Sequence, residues 1–546
     1  MRGFNTKRSL TILAVGGLTT FAICLLLFAT AFAAPRSDGK VQRQADRALR
    51  DGDYQAAEKI FRELLSKDPH DKEARLGLSF TLLKQRQLQD AYDHAARVIL
   101  ADPLSARAHA LLGSAILAAG DFRNSVEEFR TSISIQENEA LAVAGLAMVD
   151  FYENRLESAI RGLRRAVNIA PGEPDYVFNL GQAAARTEKY KEAADAYERF
   201  LVIAPKTDAD RRARIRGLIE FLRYLGKQSS LYVPTGSNKT VVSFESIDAR
   251  PILKVRVNGG KDLLRFVLDT GSGMSVVSEE TAKRLGLRPV ARGGMARAVG
   301  GGGKFEIVYG FVSSLEVGEV RVENVPVYIR HFYDDKIPVD GYLGLSIISK
   351  FIASVDYAQL TFTLARQRQS DNPDPWRTIY RADPPSADGA APLVSDSVEI
   401  PLRTTASGFL SGEVHLEGIE SPLNFIIDTG ASVSVISEKL AAMEGMADHL
   451  LPTRMRVFGA AGVAEDVKTM LLPKVMLGTF TREQISAAVL DLDPVNETAG
   501  FTQNGILGGN FLRHFRVSFD FQRGVIRLEP VNKTAKGSDS SKPEEM

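Results

Sequence analysis

The 546-residue sequence has few of the side chains that usually mark metal, disulfide or thiol chemistry. It contains one cysteine, Cys24, and seven scattered histidines. There is no HExxH pair and no Cys/His cluster with zinc spacing, so a metal enzyme is disfavoured and no metal site is predicted. A single cysteine cannot form an internal disulfide, so the folded parts must be stabilised by packing. We predict no cofactor.

An excess of charge of either sign is also missing. Lysine and arginine total 68 and aspartate and glutamate total 67, which gives a formal net charge of +1. Bulk electrostatics therefore predict no nucleic-acid binding. There is no GxSxG motif, and the GGGK at Gly301 to Lys304 lacks the serine or threonine and the preceding spacing of a phosphate-binding loop. Carboxylates remain as the candidates for chemistry.

Charged side chains are absent from one long apolar run, Leu10 to Ala34, which follows Arg2, Lys7 and Arg8. A basic flank before an apolar run is typical of export, so we predict that residues 1–34 are a signal peptide or an N-terminal membrane anchor. Cleavage near Ala33 and retention as a membrane tether both fit the pattern. The predicted location is the periplasm, either free or anchored in the inner membrane and facing the periplasm.

A repeat of 34 residues occupies the chain from Val41 to about Lys227. Small residues recur at Ala57, Ala91, Ser125, Ala159 and Ala193. Four positions after each of them stands a residue that is larger in most repeats: Phe61, Ala95, Phe129, Leu163 and Tyr197. Prolines recur with the same period at Pro69, Pro103, Pro171 and Pro205. The pattern predicts helix pairs in which the small residue permits close approach and the proline ends the second helix. It resembles tetratricopeptide repeats, which implies an all-α solenoid of five repeats, with a capping helix at Arg211 to Leu225. The concave surface of such a solenoid is expected to dock a protein substrate or partner.

The second half of the chain contains two copies of one unit. FVLDTGSGMSVVSEE at Phe266 to Glu280 recurs as FIIDTGASVSVISEK at Phe425 to Lys439, and a glycine-containing run begins 30 residues after each aspartate, at Val299 and at Phe458. Further along, DGYLGLSIISKF aligns without a gap with NGILGGNFLRHF. These matched spacings indicate an internal duplication of about 110 to 130 residues.

The duplicated motifs resemble the retropepsin-like aspartic proteases, in which each lobe supplies Asp-Thr-Gly, a glycine-containing flap and a late apolar-apolar-Gly segment. The resemblance implies two all-β barrel lobes in one chain, as in the pepsin-like enzymes, each with one short helix after the Gly segment. We therefore predict a multidomain protein, an all-α solenoid followed by two all-β lobes. The expected divisions are a signal or anchor at 1–34, repeats at 41–227, lobe one at 241–366, an interlobe linker at 367–396, lobe two at 397–530 and a disordered tail at 531–546.

By this resemblance, Asp269 and Asp428 form one catalytic pair. Two carboxylates within about 3 Å share a proton, so one can activate water while the other donates to the peptide carbonyl. The resemblance implies that this pair is supported by Thr270, Gly271, Thr429 and Gly430. The flaps expected to close over an extended substrate contain Val299, Gly300, Gly301, Gly302, Phe458, Gly459 and Gly462. Apolar linings in both lobes favour apolar side chains beside the cleaved bond.

The sequence thus predicts an aspartic-type endopeptidase, a hydrolase that cleaves a protein or peptide substrate. A polar stretch, Gln228 to Lys239, is expected to separate the repeats from the lobes, so that the repeats position substrate but are not needed for cleavage. The lobes are expected to pair within one chain, with a homodimer as the rival. Asp356 and Asp520, which are also duplicated, are predicted to be structural turn residues. Two further alternatives are a catalytically inactive peptide-binding protein and an envelope scaffold that uses the repeat surface.

Overall fold

The computed structural model describes residues 39–207, 209–301, 303–334, 337–366 and 397–531. The predicted signal or anchor, the interlobe linker and all but the first residue of the predicted tail lie outside these ranges. No helix within them is both long enough and apolar enough to cross a membrane. The described residues divide into two compact units, those up to 112 together with 205–207, and those from 113 to 204 together with the described residues after 208.

The described part of the chain up to Leu225 is helical. Its helices are α1 Gly39–Arg50, α2 Tyr54–Lys67, α3 Lys72–Lys84, α4 Leu88–Ala101, α5 Ala106–Ala119, α6 Phe122–Ile135, α7 Ala140–Tyr152, α8 Leu156–Ile169, α9 Pro174–Arg186, α10 Tyr190–Ile203 and α11 Ala209–Leu225. Aspartates begin several of them, because the carboxylate accepts a backbone N–H that the first turn leaves free. Asp53 accepts from Ala56 at 3.0 Å and Asp121 accepts from Asn124 at 3.1 Å.

The repeat positions form the cores of both units. In the first unit Ala57, Phe61, Ala91 and Ala95 have no solvent exposure. A Cβ added at Gly77 would lie 2.4 Å from the Phe61 ring, so the absence of a side chain lets α3 approach α2. In the second unit the corresponding residues are equally buried: Ser125, Phe129, Ala159, Leu163, Ala193 and Tyr197. The predicted all-α repeat region is confirmed.

Lobe one is built mainly of strands: β1 Val233–Gly236, β2 Lys239–Ser243, β3 Glu245–Ile247, β4 Arg250–Val257, β5 Leu264–Leu268, β6 Val276–Ser278, β7 Ala291–Arg297, β8 Lys304–Val317, β9 Val320–Arg330, β10 Gly341–Leu343, β11 Phe351–Asp356 and β12 Thr361–Arg366. Nine of them form one sheet in the order β1-β9-β6-β10-β5-β4-β8-β7, with β3 on β4 and an added β8–β9 pairing. Two short helices accompany them, α12 Glu279–Arg284 and α13 Leu345–Ile348.

Lobe two repeats this plan with β13 Val398–Pro401, β14 Arg403–Thr404, β15 Leu410–Leu416, β16 Leu423–Ile427, β17 Ser434–Ser437, β18 Leu450–Gly459, β19 Gly462–Leu477, β20 Phe480–Leu490, β21 Gly505–Leu507, β22 Phe515–Asp520 and β23 Val525–Pro530. The sheet order is β14-β15-β16-β21-β17-β20-β19-β18, with an added β15–β19 pairing. Its helices are α14 Glu438–Ala441, a 3-10 turn at Ala447–His449, α15 Asp493–Ala499 and α16 Gly509–Leu512. The predicted two-lobed β architecture is confirmed. The helix expected after each Gly segment is present as α13 and α16, whereas α12, α14 and α15 were not expected.

A third sheet joins the lobes, in the order β13-β23-β22-β11-β12-β2. Strand β11 of lobe one pairs with β22 of lobe two, with Val355 opposite Val517. Asp356 and Asp520 end these two strands, and each accepts two backbone N–H groups of the following turn, as expected of structural turn residues. The two lobes therefore pair within one chain.

The expectation of a linker at Gln228 to Lys239 is wrong. Strand β1 lies inside this stretch and pairs with β9, with Val233 opposite Glu323 and Gly236 opposite Val320. The composition is typical of a linker, but pairing with a distant strand satisfies backbone groups that a linker would leave to water.

The repeats of the second unit also pack directly on the lobes. On lobe one, the Phe221 ring of α11 stacks on Tyr309 with centroids 4.2 Å apart. A Cβ added at Gly217 of α11 would lie 1.9 Å from the carbonyl oxygen of Arg292, so this helix and β7 are in close contact. On lobe two, Phe501 is fully buried and meets Phe122 edge-on at 4.9 Å. Helices α6 to α11 thus belong to the same packed unit as the β lobes.

Candidate active site

Both candidate aspartates lie at the end of a buried strand that runs beside a parallel neighbour. Strand β5 pairs with β10, and the Asp269 N–H donates to the Leu343 carbonyl at 3.0 Å. In lobe two, β16 pairs with β21 in the same way, and the Asp428 N–H donates to Leu507 at 3.0 Å. The apolar runs Phe266–Leu268 and Phe425–Ile427 that end these strands suit burial on both faces. The duplication in sequence is therefore a duplication of one turn geometry.

The two turns are tied together by Thr270 and Thr429. The Thr270 Oγ1 donates to the Ile427 carbonyl of lobe two at 2.7 Å, and the Thr429 Oγ1 donates to the Leu268 carbonyl of lobe one at 2.7 Å. Each hydroxyl also accepts the other threonine's backbone N–H, at 3.0 and 3.2 Å. Both threonines are buried. This reciprocal network fixes the position of each aspartate relative to the other.

Glycines allow the close approach of the two turns. A Cβ at Gly271 would lie 2.4 Å from the Asp428 carboxyl carbon, and a Cβ at Gly430 would lie 2.7 Å from Asp269 Oδ1. Both glycines also donate their N–H to the aspartate two residues before them, at 2.9 and 2.8 Å. The structure therefore brings together Asp269, Asp428 and the four residues predicted to support them.

The two carboxyls are unequal. Burial raises the pKa of Asp428 well above its usual range, and the negative charge of Asp269 raises it further. Burial also raises the pKa of Asp269, but hydrogen bonds from Ser272, Asp428 and Gly271 oppose this rise. The Ser272 hydroxyl donates to Asp269 Oδ2 at 2.5 Å, whereas Ala431 occupies the corresponding position beside Asp428. The favoured state has the negative charge on Asp269 and a proton on Asp428, although the titrations belong to the pair.

The two flaps meet at their glycines. Flap one is the turn between β7 and β8, and flap two is the turn between β18 and β19. A Cβ at Gly459 would lie 2.1 Å from the Val299 carbonyl oxygen, and one at Gly301 would lie 2.7 Å from Gly462 Cα. Both Gly300 and Gly301 have a φ of +81°, which favours glycine. Gly302 lies outside the described residues.

A cavity of about 1530 Å³ opens over the pair of aspartates. Of the predicted flap residues, Val299, Phe458 and Gly459 line it. The lining also includes residues of the repeat helices, among them Arg186, Tyr190 and Leu218. This volume exceeds that of ordinary small-molecule pockets and suits an extended peptide. Within the described ranges, no group of three or more His, Cys, Asp or Glu side chains is placed to hold a metal ion.

Sequence reasoning missed several residues of the site. The Ser275 hydroxyl accepts the Gly344 N–H at 3.0 Å, and the Ser434 hydroxyl accepts the Gly508 N–H at 3.1 Å. Each serine lies six residues after its aspartate, so their shared spacing could have identified them. No shared spacing could have identified the cleft arginine Arg330, because it has no counterpart in the repeated motifs.

Comparison with known families matches both halves of the chain. The family model described as aspartyl protease matches residues 253–347 and 412–511, which include both Asp-Thr-Gly turns. Two models described as tetratricopeptide repeat match residues 48–115 and 145–207.

The individual relatives described next each match about a third of the chain. The chain is 27% identical over 160 residues to anaphase-promoting complex subunit 3 of Schizosaccharomyces pombe, and the match covers 29% of this chain and 24% of that protein. It therefore spans about a quarter of that relative's length. Similar solved structures include a thermophilic TPR protein of Thermus thermophilus, with 20% identity, 33% of this chain and 98% of that chain covered, and a TM-score of 0.30. MamA of Desulfovibrio magneticus has 20% identity, 32% and 99% coverage, and a TM-score of 0.23.

Proposed function

We propose that this chain, which contains an aspartyl protease domain and tetratricopeptide repeats, is an aspartic-type endopeptidase. The observation that carries the proposal is the hydrogen-bonded arrangement of Asp269 and Asp428 at the base of a large cleft covered by two flaps. Hydrolysis by a shared proton requires two carboxyls in one site with different pKa values, so that one is ionised while the other is protonated.

The proposed reaction begins with water in the cleft. The Asp269 carboxylate takes a proton from the water as its oxygen attacks the peptide carbonyl carbon, and Asp428 donates its proton to the carbonyl oxygen. The tetrahedral diol then breaks its C–N bond as the amine nitrogen takes the proton held by Asp269 and the Asp428 carboxylate takes a proton from one diol hydroxyl. The products are an amine and a carboxylic acid, and the pair returns to its starting protonation. Closed flaps exclude bulk water and hold the peptide in an extended form.

The test is cleavage of unfolded casein and of a peptide library by the full-length chain, with and without a statine-type inhibitor. Asp269→Asn and Asp428→Asn should each lower turnover by about 10²- to 10⁴-fold, because each removes one half of a single acid–base pair. Asp356→Asn is the matched control, since it changes an aspartate of the same duplication that lies in a turn. Absence of inhibitor-sensitive cleavage by the unchanged chain would favour a peptide-binding protein.

We propose that the repeats bind a protein substrate or partner. The support is the family match at residues 48–115 and 145–207 together with the position of repeat side chains in the cleft wall. Tetratricopeptide helices commonly bind peptides on such surfaces.

We also propose that the folded part acts outside the cytoplasm, in the periplasm or tethered to the inner membrane. The support is the basic flank and the apolar run at residues 10–34. Cell fractionation tests this: the mature or full-length protein should appear in the periplasmic or membrane fraction. Recovery of the full-length chain only in the soluble cytoplasm would contradict it.

A further inference from the structure

Among the described residues, Arg330 is a cation of the cleft that forms no ion pair. It ends β9 and lines the same cavity as Asp269. Its guanidinium carbon lies 5.5 Å from the centroid of the Phe305 ring and 6.0 Å from that of Phe332. Its Nε has no hydrogen-bond partner, and none of the ion pairs among the described residues includes it. No hydrogen bond among the described residues uses its terminal nitrogens, which can therefore donate to an incoming group.

Three other carboxylates of the described cleft wall are already paired with cations. Asp334 pairs with Arg250 at 3.1 Å, Glu497 with Arg297 at 2.7 Å, and Glu188 with Lys350 at 2.7 Å. Rearrangement of these pairs to neutralise Arg330 would leave another cation of the wall unpaired. These three carboxylates are therefore committed to other cations, and the carboxylate whose charge acts on Arg330 is that of Asp269.

Arg330 is also within electrostatic reach of the reaction. Burial raises the pKa of Asp269, and the positive charge of Arg330 is among the influences that oppose that rise. Burial lowers the pKa of Arg330 itself, yet arginine remains charged near neutral pH. A group bound to Arg330 would thus share the cavity with the two aspartates. The competing explanation is that Arg330 only adjusts the titration of the aspartates.

We propose that Arg330 binds a carboxylate of the substrate beside the cleaved bond. The ligand class is a peptide with Asp or Glu at that position, or one whose chain ends there in a free α-carboxylate. This inference rests on the proposed peptidase function and replaces, for one subsite, the expectation of apolar side chains. The flanking Phe305 and Phe332 rings restrict the planar guanidinium, which can then form paired hydrogen bonds to a carboxylate.

The test uses the full-length chain and matched peptides with Glu or Gln at each of three positions on either side of the cleaved bond, all with amidated C-termini. Additional Gln peptides with a free C-terminal carboxylate distinguish a chain end from a side chain. We expect kcat/KM to favour a carboxylate at one position by about 10- to 100-fold, as charge-assisted hydrogen bonds allow. Arg330→Gln should abolish that preference, and Arg330→Lys should retain part of it. Arg513→Gln, which removes a charge from the lobe-two side of the cavity, should leave the preference unchanged.

A different result overturns the proposal. If Arg330→Gln lowers kcat/KM equally for Glu and Gln peptides and shifts the pH profile, the residue only adjusts the aspartates. Binding separates this inference from the proposed function: fluorescently labelled Glu and Gln peptides are titrated into Asp428→Asn and followed by anisotropy. Tighter binding of the carboxylate peptide that is lost on adding Arg330→Gln supports the subsite even where no cleavage occurs. Equal binding of both peptides contradicts it.

Discussion

Single-residue differences determine how the two nearly identical turns divide their roles. Ser272 donates to Asp269, whereas lobe two has Ala431 at the equivalent place and Asp428 receives no such bond. A hydroxyl hydrogen bond stabilises the ionised form of a carboxyl. The asymmetry therefore favours charge on Asp269 and the proton on Asp428. The positive charge of Arg330 also opposes the rise in the pKa of Asp269, so both influences make the two carboxyls unequal.

We expect Ser272→Ala to move the acidic limb of the kcat/KM profile to higher pH. Without the hydroxyl, the singly charged pair is less stable relative to the doubly protonated pair, so the lower pKa of the pair rises. The expected shift is about one pH unit, equivalent to about 1.4 kcal/mol. Hydrolysis of a neutral peptide measured from acidic to neutral pH checks this.

The control for this experiment is Ser407→Ala, because Ser407 lines the same cavity but its hydroxyl contacts that of Thr405 at 3.2 Å. Its acidic limb should remain in place. An unchanged limb in Ser272→Ala, or equal shifts in the two variants, would show that the Ser272 hydrogen bond does not set the titration.

The residues of the site differ in how far sequence could predict them. Asp269 and Asp428 were predictable because an exact motif recurs with matched surroundings, and their supporting threonines and glycines belong to that motif. Arg330 lies in a strand that reaches the cleft only after the sheet has formed with β6 between β9 and β10. The residues next to Arg330 in the sequence do not indicate that it lies near the cleft.

Among the structural elements, the flaps depend most strongly on glycine. Their tips approach so closely that a Cβ at Gly459 would lie 2.1 Å from the Val299 carbonyl oxygen and 2.7 Å from Gly300 Cα. An ion pair of Arg297 with Glu497, at 2.7 Å, also connects flap one with lobe two. Closure of both flaps therefore requires the two backbones to touch.

Gly459→Ala should hold the flap tips apart. We expect kcat/KM for short peptides to fall by about 10- to 100-fold, since displacement of positioning elements by about 1 Å has effects of this size. The unfolding temperature should change little, because the clash is confined to the two flap tips. Steady-state kinetics and thermal unfolding measure the two effects.

Gly172→Ala provides the control, because a Cβ there would meet no atom within 4 Å. Full activity of Gly459→Ala would mean that the closed contact of the flap tips is not used in catalysis.

At the level of elements, the helical repeats were predictable and the entry into lobe one was not. The 34-residue period records helix packing directly, because each repeat buries the same positions, such as Ala57 and Phe61. Strand β1 has the Pro, Thr and Gly composition of a loop and becomes a strand through pairing with β9. Long-range pairing of this kind overrides local propensity.

In the second unit as a whole, the repeats and the lobes form one packed body. The half-buried Arg186 of α9 donates to the Thr405 carbonyl at 2.6 Å and lies 3.9 Å from the centre of the Phe151 ring. The same loop continues to Ser407, whose carbonyl oxygen lies 3.1 Å from the Cβ position at Gly273 in the catalytic turn of lobe one. A continuous set of contacts therefore connects a repeat helix with the candidate aspartates. The sequence-based expectation of repeats that are dispensable for cleavage does not account for these contacts.

Arg186→Met should lower both stability and cleavage. The substitution keeps an apolar stem against Phe151 but leaves the Thr405 and Ala406 carbonyls without their cationic donor, at a cost of about 2–3 kcal/mol. Burial already lowers the pKa of Arg186 to about 10, so its charge is retained near neutral pH and these bonds are charge-assisted. With the loop less restrained beside Gly273, we expect a lower kcat on short peptides that need no docking to the repeats.

Glu188→Gln is the matched control, since it breaks the exposed pair with Lys350 at the same interface. Exposed ion pairs contribute about 0–1 kcal/mol, so both the unfolding temperature and kcat should stay close to those of the unchanged chain. A loss of stability in Arg186→Met without a loss of kcat would show that the interface holds the unit together but does not position the catalytic turn. A loss of both stability and kcat in Arg186→Met, with neither lost in Glu188→Gln, would show that the repeats are part of the catalytic unit. The short peptide does not dock on the repeats, so its lower kcat could not result from impaired docking.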